Sequence, residues 1–400
     1  MNILMMSLLY PEDQLDEVNH NAKDKLQNQI NNYQRAFMVG IEANLQAGER
    51  LDLLNSLPVG IFPIQYCQLF LKKGWHDGGK IHQLGCLNLP WFKQKGRQRG
   101  AVREIQKWIK ANPNNRTLLL YTQYLPYMEA VAKVKRKVPD LKAAVIVTDL
   151  PNEYGLASGR RGILKKIEYA FGNRSVNLCQ MMDGFVLLTE PMAEALQVQH
   201  KPYVVIEGLI RRTEEDKLEQ TEEQSKAVLY TGTLEPDLGI QAMLDAFAAM
   251  PEYELWICGT GSMQEQVRAY AQRHANIQYF GFVPQKEALA LQAKAAALIN
   301  PRTPQGIFTR YSFPSKTLEY LRSGKPVLCY KLEGIPSDYD DYLQYISAND
   351  SEGIKSAVQK IMGLASAERK AIGSAGRAFV LDKKNPATQC KRLIAFLRQL

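Results

Sequence analysis

No run in this 400-residue sequence approaches the apolar length, about 18 residues, that a membrane-crossing helix needs, so nothing in it reads as a bilayer span. The opening Met1-Asn-Ile-Leu-Met-Met-Ser-Leu-Leu-Tyr10 is apolar but short, has no basic leader and runs into Pro11-Glu12-Asp13. That pattern suits a buried first strand better than a signal peptide. The six cysteines contain no C-x-x-C pair and most lie in apolar segments, so reduced thiols in a cytoplasmic protein are expected. Only five histidines are present, without metal-ligand spacing, and no metal centre is expected. Low-complexity tracts are also missing, while 46% of the residues are hydrophobic, enough for two cores.

What is present in excess is positive charge, and it is unevenly placed. The net charge is +9, but the window from Lys72 to Arg174 alone carries +14 and the remainder −5. An asymmetry of this kind suggests an anionic partner for one part of the chain. Lys93, Lys95, Arg97, Arg99, Arg103 and Lys107 follow one another without the interleaved aromatics of a single-strand groove, which argues against nucleic acid. An acidic membrane surface fits as well or better, with Trp75, Trp91, Phe92 and Trp108 as candidate interfacial side chains. A solvated helix face accounts for the same residues.

Strand-like apolar runs alternate with helix-period segments throughout, the pattern of parallel sheets with crossover helices. The first half gives Ile3–Leu9, Leu51–Leu54, Ile81–Leu87, Thr117–Tyr121, Ala143–Thr148, Gly184–Thr189 and Val204–Ile206 as strands, and Leu26–Asn44, Ala101–Ala111 and Gly162–Met181 as helices. The charged stretch Arg211–Ser225 reads as a surface linker. The alternation then restarts with Ala227–Thr231, Tyr253–Cys258, Ile277–Phe282, Ala296–Asn300 and Pro326–Tyr330. The expected organisation is α/β, with one doubly wound domain over 1–210, a linker over 211–225 and a second domain over 226–385. The final helix, 386–400, would be free to pack back on the first domain. Such sheets bind ligands at the carboxyl ends of their strands.

In the second domain, Arg310-Tyr-Ser-Phe-Pro-Ser-Lys-Thr-Leu-Glu-Tyr-Leu-Arg-Ser-Gly-Lys-Pro-Val-Leu328 reads as a polar loop, a helix start, a helix and a buried strand. Pro314 suits a first helical turn, and Ser312 or Ser315 could cap the free amides there. Those amides with Lys316 would suit a phosphate, and Glu319, about one turn beyond Ser315, could accept from a sugar hydroxyl. An ordinary amphipathic helix stopped at Gly324 explains the segment equally. Gly259-Thr-Gly261 after one strand and Gly232-Thr233 after another let backbone approach a ligand, although the third glycine of a dinucleotide fingerprint is missing.

Taken in order, Tyr230-Thr-Gly-Thr-Leu234, Cys258-Gly-Thr-Gly261, Gly281-Phe-Val-Pro284, Asn300-Pro-Arg302 and Phe313–Val327 resemble the C-terminal domain of family 4 glycosyltransferases. Val145-Ile-Val-Thr-Asp-Leu-Pro151, Asp183–Thr189 and Val205-Ile-Glu-Gly208 look like the exopolysaccharide and cell-wall polysaccharide branch. The resemblance implies a GT-B fold, two Rossmann-like domains facing across a cleft, and retaining transfer from a nucleotide-sugar, expected to be a UDP-sugar, to a glycan or lipid-linked acceptor. By that similarity Glu319 holds the nucleotide ribose, Arg302 and Lys316 the diphosphate, with Ser312, Ser315, Gly232, Thr233, Gly259, Gly261 and Phe282 around the nucleotide. Asp149 would orient the acceptor hydroxyl; a capping Asp at a strand end accounts for the residue equally. A cytoplasmic enzyme, peripheral at the inner membrane face, would follow. The chain departs from the family pattern at Tyr311, where many members carry a second glutamate, and at Thr233 and Leu238, where an arginine and a lysine are usual. A non-catalytic, transferase-like partner is therefore the main alternative, ahead of an epimerase or a dehydrogenase.

Overall fold

The structure, a computed structural model, describes residues 1–23, 29–150, 163–213, 226–306 and 309–400. Most of the charged 211–225 stretch, the first residues of the expected helix at 26, Gly162 and the end of the 145–151 motif lie outside the described residues. The chain divides into two compact units, residues 1–209 with 386–400, and residues 210–385.

The first unit is built on an eight-stranded sheet. Its strands are β1 (Asn2–Ser7), β2 (Arg50–Asn55), β4 (Gly74–His76), β5 (Ile81–Gln83), β7 (Arg116–Tyr121), β8 (Lys142–Val147), β9 (Gly184–Leu187) and β10 (Tyr203–Val205). A separate antiparallel pair joins β3 (Phe70–Leu71) to β6 (Cys86–Leu87). The large sheet runs β10-β9-β8-β7-β1-β2-β5-β4, all neighbours parallel except β4 against β5. Continuous apolar runs such as Leu118-Leu-Leu120 and Ala143-Ala-Val-Ile-Val147 form these strands because both of their faces are covered. One face packs under α2 (Gln29–Glu42) and α13 (Pro386–Gln399), with Phe37, Ile41, Cys390, Leu393 and Leu397 set against Ile3, Met5, Leu119, Ile146 and Val186. α3 (Phe92–Ala111), α4 (Leu125–Lys135) and α5 (Ile163–Cys179) pack in succession against one another. α1 (Leu15–Asn21) and α6 (Met192–Ala195) also belong to the unit.

Two expectations change here. The single strand 81–87 is broken at Gly85, where a Cβ would sit 2.8 Å from the Lys73 amide nitrogen, so β5 and β6 go to different sheets. The helix expected to begin at 101 begins at Phe92, because Gly96 and Gly100 let α3 lie close against Cys86 and Leu84 rather than interrupting it. The antiparallel strand β4, turned by Asp77, Gly78 and Gly79 with positive φ, was not legible as a strand.

Among its described residues the second unit carries six strands, β11 (Ala227–Thr231), β12 (Glu254–Cys258), β13 (Ile277–Gly281), β14 (Ala297–Asn300), β15 (Val327–Cys329) and β16 (Gln344–Tyr345). They are all parallel in the order β13-β12-β11-β14-β15-β16. Helices α7 (Ile240–Ala248), α8 (Gln264–Arg273), α9 (Gln285–Lys294), α10 (Lys316–Arg322), α11 (Ser351–Met362) and α12 (Ser366–Lys383) cover it. The strand order reverses between β11 and β14, which opens a crevice at their carboxyl ends. Among the described residues, no helix is long and apolar enough to cross a membrane.

Candidate functional site

The loops at the carboxyl ends of β11, β12 and β13 are laid directly on one another. Gly232 N–H donates to the Cys258 carbonyl at 3.0 Å, and Gly259 N–H donates to the Gly281 carbonyl at 2.8 Å. Gly259 has φ of 144°, and a Cβ there would lie 1.7 Å from the Gly232 oxygen; one at Gly261 would lie 2.2 Å from the Leu234 oxygen. These glycines are thus required first by backbone-on-backbone packing, which brings Gly232, Gly259 and Gly281 into one layered edge. Across the switch, a Cβ on Gly239 would meet the Pro301 carbonyl oxygen at 2.0 Å, so the β11 loop abuts the residue before Arg302.

α10 is anchored to that edge by Tyr320. Its fully buried hydroxyl receives the Thr231 N–H at 2.8 Å and donates to the Thr231 carbonyl at 3.0 Å. The anchor fixes the register of the exposed side of the same helix. There Lys316 Nζ lies 3.1 Å from both oxygens of Glu319, and buried Gln292 of α9 donates to Glu319 Oε1 at 2.8 Å. The proposed diphosphate cation and the proposed ribose carboxylate are therefore already partners, a half-exposed pair of small net worth, about 0–1 kcal/mol. Lys316 also faces Cys258: burial pushes that thiol up to about 11, against the pull of the lysine.

Arg302 leaves β14 at the switch point, and its Nη2 donates to Ser312 Oγ at 2.5 Å. Burial pushes its guanidinium down to about 10, a direction that favours an anion beside it. The serine caps expected for α10 do not form. Ser315 occupies the capping position but is itself helical, at φ −53° and ψ −28°, and its hydroxyl receives no amide. Ser312 is taken by Arg302, and Pro314 precedes the helix, accepting from Thr317 N–H at 2.8 Å. Phe282 is 70% exposed just beyond β13, and Thr233 is exposed with its carbonyl accepting from Tyr230 at 2.7 Å. Tyr311 is buried, with the Arg310 guanidinium 5.7 Å from its ring centre, and Leu238 packs on the core.

Sequence reasoning missed Gln292 and Tyr320. An amide in the middle of the apolar Ala-Leu-Ala-Leu-Gln-Ala run of α9 was the available signal for the first; nothing local marks the second, since its partner is 89 residues away.

In the first unit, Asp149 follows β8, beside the loop where Thr148 Oγ1 lies 3.2 Å from Thr122 Oγ1. The residue is exposed overall, yet partial burial of its carboxyl raises it above the ordinary range, against a hydrogen bond from Thr148. The long basic run divides. Lys93 donates to the carbonyls of Val59 and Gly60, and Arg97 to the carbonyl of Leu57 and, at 2.7 Å, to Tyr124 Oη; both cations are buried. Trp108 is buried too, donating to Asp52 at 2.6 Å. Those three are not surface groups, whereas Trp75, Trp91 and Phe92 are 64%, 80% and 63% exposed.

The class the fold defines is GT-B. The chain is similar over its full length to an apo lipopolysaccharide outer core galactosyltransferase, WaaB, with a TM-score of 0.62 at 12% identity, covering 100% of both chains. An α,α-trehalose-phosphate synthase (UDP-forming) from Burkholderia vietnamiensis gives 0.63 at 10% identity, again covering 100% of both. More particularly, residues 211–379 match the family model described as glycosyl transferases group 1. One curated relative, an O-antigen chain mannosyltransferase B of Escherichia coli, is 27% identical over 139 residues, 32% of this chain and 35% of that one. The match thus spans about a third of that relative's length.

Proposed function

We propose that this protein is a retaining glycosyltransferase of family 4 that moves a sugar from a nucleotide-sugar, in the first instance a UDP-sugar, to a glycan or lipid-linked acceptor of a cell-surface polysaccharide. The observation that carries the reading is the set of Arg302, Lys316 and Glu319 held at the carboxyl ends of a sheet of order 3-2-1-4-5-6, inside the segment that matches group 1 glycosyl transferases. The relatives' printed activities, mannosyl and galactosyl transfer, support a hexosyl donor.

In this reading the glycosidic bond to the diphosphate breaks through an oxocarbenium-like state, and the protein's main tasks are to stabilise the departing charge and to hold the acceptor oxygen near. Arg302, partly desolvated, and Lys316 supply the charge. Glu319 accepts the ribose hydroxyls through the oxygen that Gln292 does not engage. Phe282 offers an aromatic face to the base, and Asp149 orients the acceptor hydroxyl. The exposed Trp75, Trp91 and Phe92 beside a basic helix would rest on an anionic inner leaflet, giving a cytoplasmic, peripheral protein.

Incubation with UDP-, GDP- and ADP-sugars tests this directly. The expected result is stabilisation by one nucleoside diphosphate and slow release of it from the matching sugar donor, with Glu319→Ala raising KM by about tenfold or more. Absence of any nucleotide binding rejects the reading. A second reading, a non-catalytic partner, is favoured by the buried Tyr311 where relatives carry a glutamate. Nucleotide binding without turnover on any donor would select it.

A further inference from the structure

α3 carries seven cations and one acid, and the structure separates those that serve the fold from those that do not. Lys93 and Arg97 are buried against carbonyls, and Lys107 pairs with Glu104 at 3.2 Å, a carboxylate that also holds Lys73 at 2.8 Å. Lys95, Arg99 and Arg103 recur every four residues along one exposed stripe, and they have no ion pair among the described residues. Lys133 of α4, equally unpaired, joins them across the helix contact.

These four cations, with Gln98 and Val102, line a pocket of about 460 Å³ that contains no carboxylate. Its volume lies within the range of small-molecule sites, about 300–1,000 Å³. Like charges one turn apart destabilise a helix, and here a fourth is added from the neighbour instead of a counter-ion. The arrangement becomes favourable when an anion fills the pocket. Two guanidinium forks flanked by two ammonium groups suit phosphate oxygens, which take bidentate bonds from arginine and point charge from lysine.

We propose that this pocket between α3 and α4 is a second anion site, for a phosphate- or diphosphate-bearing group, lying wholly in the first unit. It does not depend on the donor site argued for residues 226–385. A soluble phosphorylated compound and a lipid headgroup present the same chemistry.

The test uses the full chain in three forms, wild type, Arg99→Gln/Arg103→Gln and Arg302→Ala/Lys316→Ala, titrated calorimetrically with inorganic pyrophosphate at low salt. Each form is also cosedimented with phosphatidylglycerol or phosphatidylcholine vesicles. The expected result is that the Arg99/Arg103 variant loses about tenfold or more in affinity for pyrophosphate at one site, while the Arg302/Lys316 variant keeps that site. Parallel loss of phosphatidylglycerol binding assigns the site to a lipid headgroup; loss for pyrophosphate alone assigns it to a soluble ligand. Wild type that binds neither probe, or an Arg99/Arg103 variant that binds both unchanged, overturns the proposal. Loss of all pyrophosphate binding in the Arg302/Lys316 variant also overturns it, and leaves the donor reading standing.

Discussion

Positive charge is used in opposite ways at the strand ends of the second unit and on α3 of the first. At the strand ends there are two cations, and each is placed by its surroundings: Arg302 is half-buried against Ser312, and Lys316 pairs with Glu319 on a helix tied to Thr231 by Tyr320. On α3 there are seven, and their sequence spacing gives no hint that two of them hold the 57–60 loop while three face an open pocket. The number of charges in a segment is therefore a poor guide to what they do. Their desolvation and their partners decide it.

The largest effect that sharpens this contrast is expected at Arg302. In the proposed transfer, Arg302→Ala should lower kcat by about 10²–10³-fold, as loss of one charge-stabilising donor does, with little change in unfolding midpoint. A variant with full turnover would remove Arg302 from the site. Arg97→Met should act in the other way, costing about 2–3 kcal/mol of stability by leaving the Leu57 carbonyl and the Tyr124 hydroxyl without their buried partner. Urea titration followed by circular dichroism would show it, and an unchanged midpoint would place Arg97 with the surface cations. Tyr320→Phe should cost about 1–3 kcal/mol, because the Thr231 amide and carbonyl lose their bonds, and it should loosen donor binding in step. Arg99→Gln/Arg103→Gln should change stability by less than about 0.5 kcal/mol, as exposed substitutions do.

A pH dependence belongs to the first unit. Burial pushes the Asp77 carboxyl up, but the hydrogen bond from Arg35 and the amides of Asp13 and Glu12 outweigh it and hold it below the ordinary carboxylate range. The unfolded chain then binds the proton first as pH falls, so this contribution is present above the unfolded carboxylate pKa and disappears as the pH drops through the lower folded value. Asp77→Asn should destabilise at pH 7 and converge on wild type in acid. A difference constant with pH would mean that the charge of Asp77 is irrelevant.

Much of the architecture was legible locally. Strands such as Leu118-Leu-Leu120 and Ala227–Thr231 are continuous apolar runs, and apolarity over five or six residues needs no distant partner to be recognised. The short antiparallel strand Gly74–His76 was not, since Trp75 is largely exposed and stacks on His82 of its neighbour, 4.6 Å away between ring centres. In the site, Arg302, Lys316 and Glu319 were named from motif spacing, but the ion pair that joins the last two, and the failure of Ser315 to cap, depend on backbone angles that spacing does not specify.

The sequence by itself determined the alternation of strand and helix, the excess of positive charge between Lys72 and Arg174, and the glycines that mark the loops after β11 and β12. Only the tertiary structure decided that Gly232 and Gly259 meet backbone to backbone, that Gln292 and Tyr320 set the position of Glu319, and that Lys93 and Arg97 belong to the interior. Hydrophobic period is carried by adjacent residues and can be read along the chain. Desolvation and hydrogen bonding are carried by whichever residues folding brings within about 3 Å, and those lie tens of positions apart.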